Sequence, residues 1–294
     1  MIKKILLSLV WAMSAWTSQA QIMPQAYRLF TQTGQPANFS DLIAQAAASH
    51  VVLFGELHNA PLSHWLEYKL LEALQQQKAG HLQMGMEMLE ADNQLILNEY
   101  LQRQISPSSY AREARLWDNY ENHYDPLVFF CKQNHIPVVA TNVPRRYAER
   151  VSRLGLDSLE TLSAQAKTYM PPLPIPYTPN PDEQQMFAAM TAVKALSGGE
   201  SKQYIAQAQA LKDATMAWHI ARSLRPGATF VHFNGSFHSD RNGGIIPFLE
   251  HYKPGLRICT ISTVRQEEVD ELDEFNHGTA HFIIVIPEDQ TIGN

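Results

Sequence analysis

The sequence lacks the features that would tie a protein to nucleic acid, to a membrane or to a cysteine-ligated metal. The chain has 23 lysines and arginines and 29 aspartates and glutamates, so its net charge is −6. It lacks the excess of basic residues that is typical of nucleic-acid-binding proteins. After an apolar N-terminus, no stretch is long and apolar enough to cross a bilayer. Only two cysteines occur, and neither has a partner at the spacing of a zinc site.

The N-terminus has the organisation of a secretory signal peptide. Lys3 and Lys4 precede a mostly apolar run over 5–15, and Ser18 and Ala20 place small residues before a cleavage site. We therefore expect residues 1–20 to be removed. The mature protein is expected to be exported and soluble, and periplasmic if the source is a Gram-negative bacterium.

The two cysteines, Cys131 and Cys259, lie in apolar sequence. An oxidising compartment permits a disulfide between them. Two buried free thiols, one in a helix and one in a strand, are the alternative, and the sequence leaves both open.

Apolar runs of strand length alternate with amphipathic stretches along the chain. The pattern predicts strands over 50–56, 81–88, 136–142, 229–234, 256–264 and 281–287, and helices over 61–78, 92–104, 126–134, 144–154, 183–196, 202–224 and 245–251. Asp92 is a predicted helix cap. Such alternation is typical of an α/β protein with a mostly parallel sheet flanked by helices. Residues 21–294 are thus predicted to form one domain, with a helical insertion at about 157–224 before the last strands.

Polar side chains follow several of the predicted strands where each ends. Glu56 and His58 follow the first, Glu87 lies near the end of the second, and Asn142 and Arg145 follow the third. His238 follows the strand after the insertion. Ligands of parallel sheets bind beyond the carboxyl ends of the strands. Imidazoles and carboxylates placed there can bind a divalent metal or transfer protons, and an arginine can clamp an anion.

The motifs resemble the ChaN-like haem-binding uptake branch of the Tiki and erythromycin-esterase-like superfamily. The resemblance rests on two Gly-x-x-His motifs, GELH ending at His58 and GSFH ending at His238, with Glu87 between them. Longer stretches such as GELHNAPLSHWLEYKLLEAL, VVATNVPRRYAERVSRLGL and HFNGSFHSDRNGGI extend it over residues 26–287.

The resemblance implies either of two functions. ChaN-like proteins are associated with haem or iron uptake, and a characterised relative binds haem at a dimer interface through a tyrosine with histidine support. A homodimer is therefore also implied as a partner. Other branches use the Gly-x-x-His site for metal-dependent hydrolysis, which would place a divalent metal among Glu56, His58, Glu87 and His238. Asn142, Arg145 and Asp213 would support that site.

Tyr169 and Tyr177 are the candidate haem ligands, because a phenolate is a plausible axial ligand of ferric haem. They flank the proline-rich segment YMPPLPIPYTPNP, which is apolar enough to cover a porphyrin. Alternatively, they pack this segment onto the rest of the protein. A second aromatic cluster, Tyr120, His123 and Tyr124, is interpreted as structural.

Three hypotheses remain open. The protein is an exported haem or iron carrier, a metal-dependent peptidase or esterase with Glu56 or Glu87 as general base, or a protein whose polar strand ends form only a structural network. We favour haem or iron uptake, because the resemblance points most directly there.

Overall fold

The computed structural model describes residues 25–179, 185, 187, 189 and 203–291. The predicted signal peptide and nearly all of the predicted helix over 183–196 lie outside these residues. No helix in the described part of the chain is long and apolar enough to cross a membrane.

Seven strands in the described residues form a single sheet in the order β1-β7-β6-β2-β5-β3-β4. Six neighbouring strands run parallel, and β1 pairs antiparallel with β7 at one edge. The strands are β1 (Arg28–Thr31), β2 (Val51–Glu56), β3 (Leu82–Glu90), β4 (Val138–Asn142), β5 (Thr229–Gly235), β6 (Ile258–Gln266) and β7 (Phe282–Pro287). The predicted mostly parallel sheet is confirmed.

Helices cover both faces of this sheet. They are α1 (Phe39–Ala48), α2 (Pro61–Lys78), α3 (Gln94–Leu101), α4 (Pro107–Glu113), α5 (Tyr120–His123), α6 (Asp125–Gln133), α7 (Arg145–Leu154), α8 (Ala164–Lys167), α9 (Ile205–Ser223) and α10 (Ile245–Tyr252). The predicted helical segment before the last strands is therefore present. Its long helix α9 packs directly on the sheet, beside α10.

Strand β2 shows how the two layers are divided. Val51 and Leu53 pack with α9 and α10, whereas Val52 and Phe54 belong to the larger core that includes α2. Successive side chains of a strand point to opposite faces, so a strand covered on both faces is apolar throughout.

The structure corrects one predicted helix. The segment predicted as helical over 92–104 begins with a 3₁₀ turn, Ala91–Asn93, and continues as α3. Asp92 does not cap it, because its carboxylate accepts a hydrogen bond from Arg146 Nη1 at 2.5 Å. The Asp92 carboxylate therefore forms ion pairs with two distant arginines, Arg115 and Arg146, and does not cap the helix.

Other differences concern strand ends. Strand β3 extends two residues beyond the predicted end to Glu90, and its register with β4 shifts after Met86. The two added residues, Leu89 and Glu90, are both buried, and the charge of Glu90 made the sequence indicate a loop at this end. The edge strand β1 and helix α1 were not predicted, because their sequences are short or weakly patterned.

The parallel arrangement brings the polar strand ends together. Glu56 lies opposite Gly235 in the pairing of β2 with β5, and Asn142 lies opposite Glu90 in the pairing of β4 with β3. We call this carboxyl-end edge of the sheet the rim.

Candidate functional site

Glu56, the last residue of β2, anchors one half of the rim. Its Oε1 accepts hydrogen bonds from His58 Nδ1 at 2.5 Å and from the Tyr124 hydroxyl at 2.9 Å. Burial opposes ionisation, but His58 and His64 outweigh it and lower the pKa of Glu56 to about 2. The carboxylate is therefore ionised and holds the His58 ring, whose side chain remains 39% exposed.

His238 anchors the other half, beyond β5. Its Nδ1 lies 2.5 Å from Asp213 Oδ1 of α9, and its Nε2 lies 3.2 Å from Glu87 Oε1 of β3. Burial alone would lower the pKa of His238, but the Glu87 and Asp213 carboxylates outweigh it and raise the pKa to about 10. This histidine is therefore a buried imidazolium between two acids, with 5% of its side chain exposed.

The glycines of the two Gly-x-x-His motifs are required for close approach. A Cβ added to Gly235 would lie 2.9 Å from His58 Nε2 and 3.5 Å from Glu87 Oε2. A Cβ added to Gly55 would lie 2.8 Å from the backbone of Ser236. The motifs thus bring β2 and β5 together and leave space for the His58 ring between them.

A second group of ligand-type side chains lies behind Glu56. His64 and Glu67 are one helical turn apart on α2, which begins at Pro61 and returns over the end of β2. Ligand atoms of Glu56, His64 and Glu67 all lie within 4.8 Å of one another. We call these residues the Glu–His–Glu cluster. Among the described residues, these three have metal-ligand atoms close enough together to hold one ion. The four residues predicted from the sequence, Glu56, His58, Glu87 and His238, do not.

The predicted supporting residues are engaged within the protein. Asn142 donates through Nδ2 to the Glu87 carbonyl at 2.9 Å and thereby joins β4 to β3. Arg145 pairs with Glu90 and donates through Nη2 to the Arg115 carbonyl at 2.7 Å. Its side chain is nevertheless 56% exposed, so its remaining donors face solvent.

An open cleft of about 490 Å³ lies over the exposed face of His58. The Trp117 and His58 rings meet edge to face with centroids 5.0 Å apart, and Asn119 Nδ2 donates to the His58 carbonyl at 2.8 Å. We call it the Trp117 cleft. Its lining residues are His58, Asn59, Leu116, Trp117, Asp118, Asn119 and Arg145.

Tyr169 and Tyr177 do not line this cleft. Tyr177 lines a different cavity, of about 300 Å³, together with Leu154, Asp157, Glu160 and others. We call this the Tyr177 cavity. The Tyr177 hydroxyl is buried and has no hydrogen-bond partner among the described residues. Tyr169 is half-buried, and its carbonyl accepts a hydrogen bond from His219 Nε2 at 3.3 Å.

Sequence reasoning missed His64, Glu67 and Trp117 as site residues, and it interpreted Tyr124 as structural. The spacing of His64 and Glu67 on one face of a predicted helix that follows Glu56 was a usable signal. Trp117 lies in an irregular segment before α5, so no periodicity indicates where its ring lies.

Comparison with known proteins identifies a family. The profile described as "Haem-binding uptake, Tiki superfamily, ChaN" matches residues 42–249, which is more than half of the chain. No curated protein matches the sequence.

The solved structure of another protein shares the fold. ChaN of Campylobacter jejuni, whose structure describes cofacial haem binding, superposes with a TM-score of 0.67 at 15% identity, over 88% of this chain and 96% of that chain. The type III effector HopBA1 covers 89% of this chain and 99% of its own, at 11% identity and a TM-score of 0.46. A mutant of the erythromycin esterase EreC has the same TM-score of 0.46 at 11% identity, over 82% of this chain and 77% of its own. The last two scores are too low to support an argument.

Proposed function

The chain belongs to the ChaN haem-binding uptake family of the Tiki superfamily, and from this premise we propose that it binds haem in the Trp117 cleft. The observation that carries the proposal is the combination of groups along one open cleft: a carboxylate-held imidazole, an indole wall and a half-exposed guanidinium.

The cleft fits the chemistry of haem in three respects. Leu116 and the half-buried Trp117 offer apolar and aromatic surface to a flat macrocycle. Arg145 offers guanidinium donors to a propionate, a pairing that is frequently bidentate. The hydrogen bond from Asn119 to the His58 carbonyl joins two segments that line the cleft. The side chains of these segments therefore lose little conformational entropy when haem binds.

His58 would face the iron or a ligand on it. Its Nδ1 is occupied by Glu56, which leaves Nε2 as the nitrogen for a further partner. Histidines that bind metals usually donate their other ring N–H to a carboxylate or carbonyl, which fixes the tautomer and the ring orientation. Haem would enter as cargo, and these residues would bind and orient it.

The Tyr177 cavity fits haem less well. Two carboxylates, Asp157 and Glu160, line it, and no described lysine or arginine does. Haem carries two propionates, which these acids would repel. Tyr169 and Tyr177 are the haem ligands expected from the sequence, but neither lines the Trp117 cleft, and charge favours that cleft over the Tyr177 cavity.

Hydrolysis by the predicted four-residue site is less well supported. Glu87 and His238 expose only 3% and 5% of their side chains and are paired with each other. Of the four residues, His58 is the one with an exposed side chain, and a single reachable imidazole suits ligand binding. We further propose that the protein is exported through the predicted signal peptide and carries haem in an uptake process.

Haemin titration of residues 21–294, followed by absorbance in the Soret region, tests the proposal. We expect a saturable, shifted band. His58→Gln and Trp117→Ala should each weaken haem affinity at least about tenfold, because each removes a direct contact.

Two variants serve as controls. His251→Gln removes an exposed imidazole on α10 and should leave haem affinity unchanged, as should Tyr177→Phe. An unshifted band in the wild-type protein would refute haem binding. Loss of binding in Tyr177→Phe, with His58→Gln unaffected, would refute the Trp117 cleft and place haem in the Tyr177 cavity.

A further inference from the structure

The Glu–His–Glu cluster places two carboxylates against one imidazole in the protein interior. His64 exposes 5% of its side chain and Glu56 and Glu67 expose none. His64 Nδ1 lies 2.9 Å from Glu56 Oε2 and 2.9 Å from Glu67 Oε2. Carboxylates are almost never buried this completely without a compensating partner.

The hydrogen bonds of the cluster are incomplete. His64 Nε2 lies 3.1 Å from the His58 carbonyl, which can only accept, so Nε2 carries a proton. Nδ1 faces both carboxylates and has at most one proton to donate to them. Glu56 Oε2 and Glu67 Oε1 are buried without a hydrogen-bond partner among the described residues.

Even a doubly protonated ring cannot satisfy this arrangement. Its Nδ1–H donates to Glu67 Oε2, and one proton cannot serve Glu56 Oε2 equally well. The Tyr124 hydroxyl and His58 Nδ1 are both committed to Glu56 Oε1. The second oxygen of Glu56 therefore faces the cluster with no donor of its own.

We propose that Glu56, His64 and Glu67 bind a divalent first-row metal ion, such as Zn²⁺ or Mn²⁺, behind the Trp117 cleft. One imidazole nitrogen and two carboxylates are ligands that these ions accept, and the two negative charges match the charge of the ion. Ligand atoms held at ~2.1 Å from one ion lie roughly 3 Å apart, close to the separations within the cluster.

The surroundings support the ligands. The His64 Nε2–H donates to a backbone carbonyl, and Glu56 is held by Tyr124 and His58. Such outer hydrogen bonds orient metal-binding side chains. The partly exposed His123 ring stacks on His64 with centroids 4.3 Å apart and covers it on that side.

Zinc titration of the full chain, purified without haem and stripped with a chelator, tests this inference by calorimetry. We expect one Zn²⁺ per chain, with affinity that rises with pH because the metal displaces protons from its ligands. Glu67→Gln should weaken zinc affinity at least about 100-fold. Loss of a group that only hydrogen-bonds to a metal ligand costs up to about that much, and this substitution removes a ligand itself. Glu72→Gln is the matched control: it lies on the same helix, is 37% exposed and should bind zinc normally.

Zinc X-ray absorption of the wild-type protein gives a readout that needs no variant to fold. One imidazole among oxygen ligands is expected. Two imidazoles would place the ion between His58 and His238 and overturn the inference, as would absent zinc binding or unchanged affinity in Glu67→Gln. Haem is not present in these experiments, so a failure of zinc binding leaves the haem proposal intact, and a flat haemin titration leaves the metal inference intact.

Discussion

The buried pair of His238 and Asp213 allows a quantitative prediction. Asp213→Asn keeps the shape of the side chain but removes one of the two charges that flank the imidazolium. Leaving a buried charge wholly unpaired costs about 3–5 kcal/mol. Glu87 remains as a partner, so we expect the loss of one charge-assisted hydrogen bond, which lowers the free energy of unfolding by about 2–3 kcal/mol at pH 6.5.

The loss should depend on pH in a defined direction. The pKa of His238 is raised from 6.5 to about 10, so the native state binds its proton more tightly than the unfolded state. A stabilisation of this kind is complete below pH 6.5 and disappears as the pH rises through about 10. The difference between wild type and Asp213→Asn should therefore shrink to about 1 kcal/mol or less at pH 10.

Urea denaturation followed by circular dichroism measures both values. Asp157→Asn changes an exposed acid and should alter the free energy of unfolding by no more than about 0.5 kcal/mol at either pH. An equal loss for Asp213→Asn at pH 6.5 and pH 10 would contradict the reasoning, because it would show that charge on His238 contributes nothing.

Three further predictions follow from the same region and the core. Gly235→Ala should destabilise the protein by about 1–3 kcal/mol in thermal or urea unfolding, because the added Cβ would lie 2.9 Å from the His58 ring; no loss would mean that the glycine is not needed for packing. Tyr124→Phe should cost about 1–2 kcal/mol in urea unfolding through the lost hydrogen bond to Glu56, and a neutral effect would argue against that bond. Cys131 and Cys259 are both buried and free, and burial raises the pKa of the Cys131 thiol, so a thiol reagent should label neither in native protein and both in urea; labelling of fewer than two in urea would indicate a disulfide.

The sheet was predictable because its signals are local. The apolar run before Glu56 is buried on both faces, so it carries the signature of a parallel strand without any tertiary information. The helix over 61–78 was predicted with the bounds that the structure has, since a proline marks its start and its apolar face recurs along the whole length. Edge strand β1 has only four residues, so too little pattern exists to distinguish it from a loop.

The candidate site was only partly predictable. Glu56, His58 and His238 follow apolar runs, so their position at strand ends could be read directly. The resemblance named Asp213 as a supporting residue, but no spacing showed which side chain it contacts. Asp213 reaches His238 from a helix 25 positions earlier in the chain, and Tyr124, which was interpreted as structural, reaches Glu56 from 68 positions away.

The sequence by itself determined the α/β class, the order of the central elements and the identity of the two Gly-x-x-His strand ends, because strand period, helix period and turn residues act over a few neighbouring positions. The tertiary structure decided which charges meet. It paired Arg145 with Glu90 and enclosed His64 between Glu56 and Glu67. It also placed Trp117 against His58, whereas Tyr177 lies in a separate cavity. These contacts join residues far apart in the chain, so they depend on how layers pack and on where burial makes an unpaired charge too costly.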